Sequence, residues 1–134
     1  MTRRDLFFLF GLGLAVNLFI AQFQSLPGYM DADYYFGGGL QLARGHGFTE
    51  PYLWNYLADP QTRPAPSHAY WLPLASLLAA AGMWLSGQTT YAAARIGFIL
   101  IAALVPPLTA TLAFRLTSNR TPSLLSGLLA CFSI

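Results

Sequence analysis

Four uncharged, strongly apolar runs, at residues 6–23, 70–86, 97–114 and 121–134, are separated by one long stretch at 24–69 and two short ones. At 1.5 Å per residue the first makes a helix about 27 Å long, close to the ~30 Å hydrocarbon core of a bilayer. Arg3 and Arg4 precede it, the order a secretory signal also has. The run exceeds the usual signal core and no small-x-small cleavage site precedes Pro27, so a retained helix is expected. The second run carries Tyr70, Trp71 and Trp84 near its ends, where amphipathic rings prefer the headgroup level. The third, bracketed by Arg95 and Arg115, contains Pro106 and Pro107, which remove two backbone donors and should kink it. The fourth opens with Pro122 near a first helical position and stops at Ile134 with too few residues to cross. The pattern predicts an all-α polytopic membrane protein of about four transmembrane helices, the last incomplete. The chain, 1–134, is expected to be the amino-terminal module of a longer protein.

Composition sharpens this reading. Of 134 residues, 55% are hydrophobic and 9% charged, against roughly 25% charged in a soluble domain, so lipid must cover the apolar surface. A formal charge of +2 gives no dense basic face for nucleic acid. One cysteine, Cys131, makes no internal disulfide, and no Cys/His cluster has zinc spacing.

Residues 24–69 hold both histidines and four of the five acids, Asp31, Asp33, Glu50 and Asp59. If Arg3 and Arg4 hold the amino terminus in the cytoplasm, this loop is extracytoplasmic. With four crossings Arg44, Arg63, Arg115 and Arg120 would join it outside, leaving only Arg95 inside with Arg3 and Arg4, so charge alone does not orient the chain. The segment DADYYFGGGLQLAR has an acidic start and places Tyr35, Gly39 and Leu42 on one helical face, which predicts a short helix on the membrane surface. Gly45-His46-Gly47 should end it. Asp31 and Asp33 form an Asp-x-Asp, a pattern that in many sugar transferases holds a divalent ion. On a helix, residues two apart diverge, so joint chelation would need an extended start, and capping is the competing role for Asp33. The stretch from Glu50 to Pro73, rich in aromatics and prolines, suggests a rigid irregular segment against the membrane.

Asp31, Tyr34, Tyr35, Gly39, Leu42, Ala43, Gly45, His46, Gly47 and Phe48 fall in the order and spacing of the first extracytoplasmic loop of a known family. Ser67-His68-Ala69-Tyr70-Trp71-Leu72-Pro73-Leu74 and Tyr91-Ala92-Ala93-Ala94-Arg95 follow in matching places. The chain thus resembles the GT-C superfamily of polyprenyl-phosphate-sugar-dependent glycosyltransferases, which includes protein mannosyltransferases and aminoarabinose transferases. Gly39 stands where the family favours alanine, and His68 where it favours lysine.

The resemblance implies helices along the interface in the first loop and an extracytoplasmic catalytic cavity in the cell membrane. It implies inverting transfer of a sugar from a polyprenyl-phosphate donor to an acceptor hydroxyl. Asp31 matches the catalytic position, where a poor nucleophile needs a positioned base. The lipid-phosphate leaving group needs fixed positive partners. Tyr35, Arg44 and His68 are the substrate-binding candidates, and Asp33 would hold the metal if a divalent ion is used. Arg95 matches a family position but is expected on the cytoplasmic side in a structural role. The alternative is a small non-catalytic membrane scaffold or assembly subunit.

Overall fold

The computed structural model describes residues 1–52, 64–69 and 71–133. Residues 53–63 of the aromatic, proline-rich stretch, Tyr70 at the head of the second apolar run, and Ile134 lie outside the described residues. The chain is mostly helical: α1 (Arg3–Ala21), α2 (Met30–Ala43), α3 (Leu74–Ser86), α4 (Tyr91–Ala94), α5 (Ile96–Thr117) and α6 (Arg120–Ala130). Two short strands, β1 (Thr49–Glu50) and β2 (Ala65–Pro66), pair antiparallel. Two compact units result, one of residues 1–23 with 98–134 and one of residues 24–97.

The first unit is a bundle of α1, α5 and α6. Thr2 opens α1 with a capping box: its hydroxyl accepts from the Asp5 amide at 3.3 Å, and its own amide donates to Asp5 Oδ2 at 2.9 Å. The same carboxylate receives a two-pronged bond from Arg120, Nε to Oδ2 at 3.0 Å and a terminal nitrogen to Oδ1 at 2.6 Å. Midway along α1, a Cβ on Gly13 would stand 3.0 Å from the Pro106 ring. From that crossing, α5 runs toward Arg120 as α1 runs back toward Asp5, so α1 and α5 are antiparallel. The hairpin through Ser118 and Asn119, whose side chain caps α6, brings α6 back along α1, where Gly127 meets Leu9 and Ala110.

Two helical runs are long and apolar enough to cross a membrane, α1 with 19 residues and Tyr91–Thr117 with 27. The helix continues unbroken through Pro106 and Pro107, with Pro106 buried against α1 and the Thr111 hydroxyl donating to the Pro107 carbonyl at 2.7 Å. The other two runs are shorter than their apolar sequences suggest. α3 starts only after Pro73 and has 13 residues, about 20 Å. α6 has 11 residues and is capped at Cys131.

In the second unit α2 packs on α3 through the glycine triplet. A Cβ on Gly39 would stand 2.6 Å from Ala79 Cβ and 3.1 Å from the Ser76 carbonyl, so only hydrogen there lets the two backbones approach. Phe36, Leu40 and Ala43 then cover a small core of Ala79, Met83, Ala93 and Ala94. The Ser76 hydroxyl, fully buried, donates to the Tyr35 carbonyl at 2.9 Å. Arg95, expected across the bilayer from this loop, instead donates to Gln24 Oε1 at 3.3 Å and lies over the Tyr91 ring. The unit therefore begins and ends at one place.

Gly39→Ala should lower stability by about 1–3 kcal/mol through overpacking. Gly11→Ala, where the new methyl meets nothing within 4 Å, should not. Thermal unfolding of both variants in one detergent checks this, and equal midpoints would show that the α2–α3 contact is looser than described.

Candidate functional site

The site is built where α2 meets the β1–β2 ribbon. Glu50 pairs with Ala65 and Thr49 with Pro66, and the Ser67 amide donates to the Phe48 carbonyl at 3.0 Å. Alternation along the two strands puts Glu50, Ala65 and Ser67 on one face, and all three are buried, whereas Pro66 on the other face is exposed. The next residue, His68, has φ of 62°, a left-handed conformation that costs a non-glycine residue about 1–2 kcal/mol. Its backbone N–H donates to the Tyr34 hydroxyl at 2.6 Å, which holds the turn against α2.

That turn drives the imidazole into an aromatic wall. Its ring stacks on Tyr35 at 6.2 Å and meets Tyr34 and Phe48 edge-on at 5.2 and 5.6 Å. Trp71 packs on Tyr34 at 5.2 Å, the rings tilted by 57°. A Cβ on Gly38 would stand 2.9 Å from His68 Nε2, so the second glycine of the triplet makes room for the ring. Burial pushes the His68 pKa down; the Trp71 main chain favours the charged form, but no bond of good geometry reaches either ring nitrogen.

Glu50 Oε2 and Ser67 Oγ are likewise buried with no hydrogen-bond partner among the described residues. Desolvation pushes the Glu50 carboxyl up, and burial together with Glu50 pushes the Tyr52 phenol up to about 12. Tyr34, 4% exposed, is raised for the same first reason.

The sequence-derived candidates divide. Asp31 is exposed in the first turn of α2, one turn from Tyr34 and Tyr35 and two turns from Gly38, along the helix face that His68 covers. Tyr35 and His68 are brought together. Arg44 is exposed at the opposite end of α2, thirteen residues or about 20 Å along the helix from Asp31, and belongs to another neighbourhood. Asp33 points to the far side of α2 from Asp31, since two helical residues diverge by about 160°, and its field reaches Tyr52 instead. The Asp-x-Asp is helical from its first residue, and no side-chain bond caps α2 at Tyr29. Among the described residues no three His, Cys, Asp or Glu side chains lie together as a metal site. Glu50 and Ser67 were not singled out by the sequence, although Phe48-x-Glu50 and Ala65-x-Ser67 carry the period-two pattern that buries them.

Comparison of the chain with known protein families, curated proteins and solved structures finds no match.

The two buried groups respond oppositely to pH. Glu50 binds its proton more readily folded than unfolded, so its contribution to stability falls as pH rises above about 4.5. His68 binds its proton less readily folded, so stability falls as pH drops below about 6.5. Glu50→Gln should therefore raise the melting temperature at pH 8 and leave it little changed at pH 4. A larger destabilisation at pH 8 than at pH 4 would mean that the carboxylate is paired.

Proposed function

We propose that this chain is the amino-terminal membrane module of a GT-C-type glycosyltransferase, with Asp31 as the general base on the extracytoplasmic face. The observation that carries this reading is the exposed Asp31 carboxylate on the α2 face that leads to Tyr35 and His68. A base must be reachable by the acceptor hydroxyl, and an aromatic wall with an imidazole one to two turns away offers a place for the donor headgroup. His68, short of hydrogen-bond partners, would meet the lipid-linked phosphate first as a neutral donor. It would gain charge as negative charge develops on the leaving oxygen.

The sidedness in this proposal rests on the arginines, with the membrane drawn across α1 and α5. The Asp5–Arg120 bond gathers Arg3, Arg4, Arg115 and Arg120 at one end of the first unit. Within about 20 residues of the other ends of the two spans stands only Arg95. The positive-inside rule then puts the four arginines in the cytoplasm and residues 24–97 outside, in the plasma or inner membrane. Arg44 and Asp33 have no part in this reading, and it requires no metal.

In the full-length protein, Asp31→Asn should reduce sugar transfer from a polyprenyl-phosphate donor by about 10²–10⁴-fold, the usual contribution of a positioned base, while membrane insertion is unchanged. Transfer at the wild-type rate would remove Asp31 from the chemistry.

A further inference from the structure

We infer that the groove between α1 and α5 is a binding site for an anionic phospholipid, with Arg3 on its phosphate and an acyl chain laid along the groove. The groove has a volume of about 560 Å³ and is lined by Arg3, Leu6, Phe7, Phe10, Leu104 and Pro107. Arg3, Leu6, Phe7 and Phe10 stand at offsets of three, four and seven, so they share one face of α1. Leu104 and Pro107, three apart, form the facing wall on α5. All six belong to the first unit. Along the groove a single cation at one end is followed by about 10 Å of hydrocarbon wall, the rise over seven residues of α1. That is the order of an amphiphile with an anionic head.

Charge at the head end is unbalanced. The first unit holds four arginines, and its only acidic side chain is Asp5. That carboxylate is already engaged, by Arg120 at 3.0 and 2.6 Å and by the Thr2 amide at 2.9 Å. Arg3, Arg4 and Arg115 are exposed, and none of them has an ion pair among the described residues. A guanidinium with no acid to meet is suited to the paired oxygens of a phosphate.

Register favours the bilayer's own lipid over other anions. α1 is 19 residues long, about 28 Å, so when it crosses the ~30 Å core its first residue, Arg3, stands at phosphate level and Leu6, Phe7 and Phe10 stand among the upper acyl chains. A phospholipid reaches both levels without leaving its leaflet. A soluble anion would satisfy Arg3 and leave the apolar wall bare, where Phe7 is 75% and Leu104 47% exposed. A zwitterionic lipid brings a phosphate whose charge its own ammonium offsets, so the unbalanced arginines select an anionic head. The site takes no part in the proposed sugar transfer and needs only that α1 and α5 lie in a bilayer.

The test is native mass spectrometry of the full-length protein titrated with dioleoyl phosphatidylglycerol, dioleoyl phosphatidylcholine or undecaprenyl phosphate. Phosphatidylglycerol should bind about 5-fold or more tightly than phosphatidylcholine, and Arg3→Gln should remove that preference. Arg4→Gln deletes the same charge about 100° round the helix, outside the groove, and should keep it. Leu104→Trp, which crowds the groove while Arg3 is intact, should weaken phosphatidylglycerol binding by a similar factor. Arg3 and Leu104 are both exposed, so neither change disturbs packing inside the unit. Equal affinity for the two phospholipids, or equal losses for Arg3→Gln and Arg4→Gln, would reduce the effect to diffuse charge and overturn the inference. Binding untouched by Leu104→Trp would show that no acyl chain enters the groove, and stronger binding of undecaprenyl phosphate than of phosphatidylglycerol would assign it to a polyprenyl lipid; either result overturns it too. So would disulfide cross-linking between copies of the Phe7→Cys, Cys131→Ser variant in phosphatidylglycerol/phosphatidylethanolamine bilayers, which would put protein in the groove.

Discussion

One carboxylate, at position 5, organises the unit that holds the two long apolar helices. It completes the capping box of α1 and at the same time takes both prongs of Arg120 from the far end of the chain. An ion pair with one partner exposed, as Arg120 is here, contributes modestly to stability. Here its consequence is geometric: it registers the start of α1 with the α5–α6 hairpin and fixes the antiparallel sense of the two spans. From that sense follows the collection of four arginines, Arg3, Arg4, Arg115 and Arg120, at one end of the first unit.

The second unit solves a different problem. A loop that carries the candidate chemistry has to be rigid without a large core of its own. It does so by close backbone approach. Gly38 and Gly39 let α2 settle on His68 and α3, Ser76 ties the Tyr35 carbonyl, and the Tyr34 hydroxyl holds the strained His68 turn. Each glycine gives up roughly 1 kcal/mol of intrinsic helix propensity relative to alanine, which the contact it permits has to offset. Among the described residues, the arrangement leaves Glu50 Oε2, Ser67 Oγ and the His68 ring nitrogens buried without hydrogen-bond partners. A polar centre of this kind costs stability and is the sort of feature found where binding sites are built.

The two long apolar helices were legible because residues 6–21 of α1 and 96–114 of α5 carry no charge, a property local in sequence. α2 and its glycine ending were legible for the same reason, with Gly45 and Gly47 adopting positive φ as their placement suggested. α3 was not, because an uncharged run of seventeen residues from Tyr70 includes Pro73, and the helix begins only after it. The roles of Arg95 and Arg120 escaped because their partners, Gln24 and Asp5, lie 71 and 115 residues away. At the site, the meeting of Tyr35 with His68 could be anticipated from motif order. The burial of Glu50 and Ser67 could not, since it depends on a two-residue strand pairing across the stretch from Glu50 to Ala65.

The central claim is that α1 and α5 are antiparallel within the first unit. The distance between nitroxides at positions 4 and 116, measured by pulsed electron paramagnetic resonance in lipid nanodiscs, tests it most directly. Packed antiparallel helices 8–10 Å apart put this pair below about 20 Å. A parallel arrangement pivoting on the Gly13–Pro106 crossing would separate the two positions by about 30 Å along the helix axes, and a distance in that range would contradict the account.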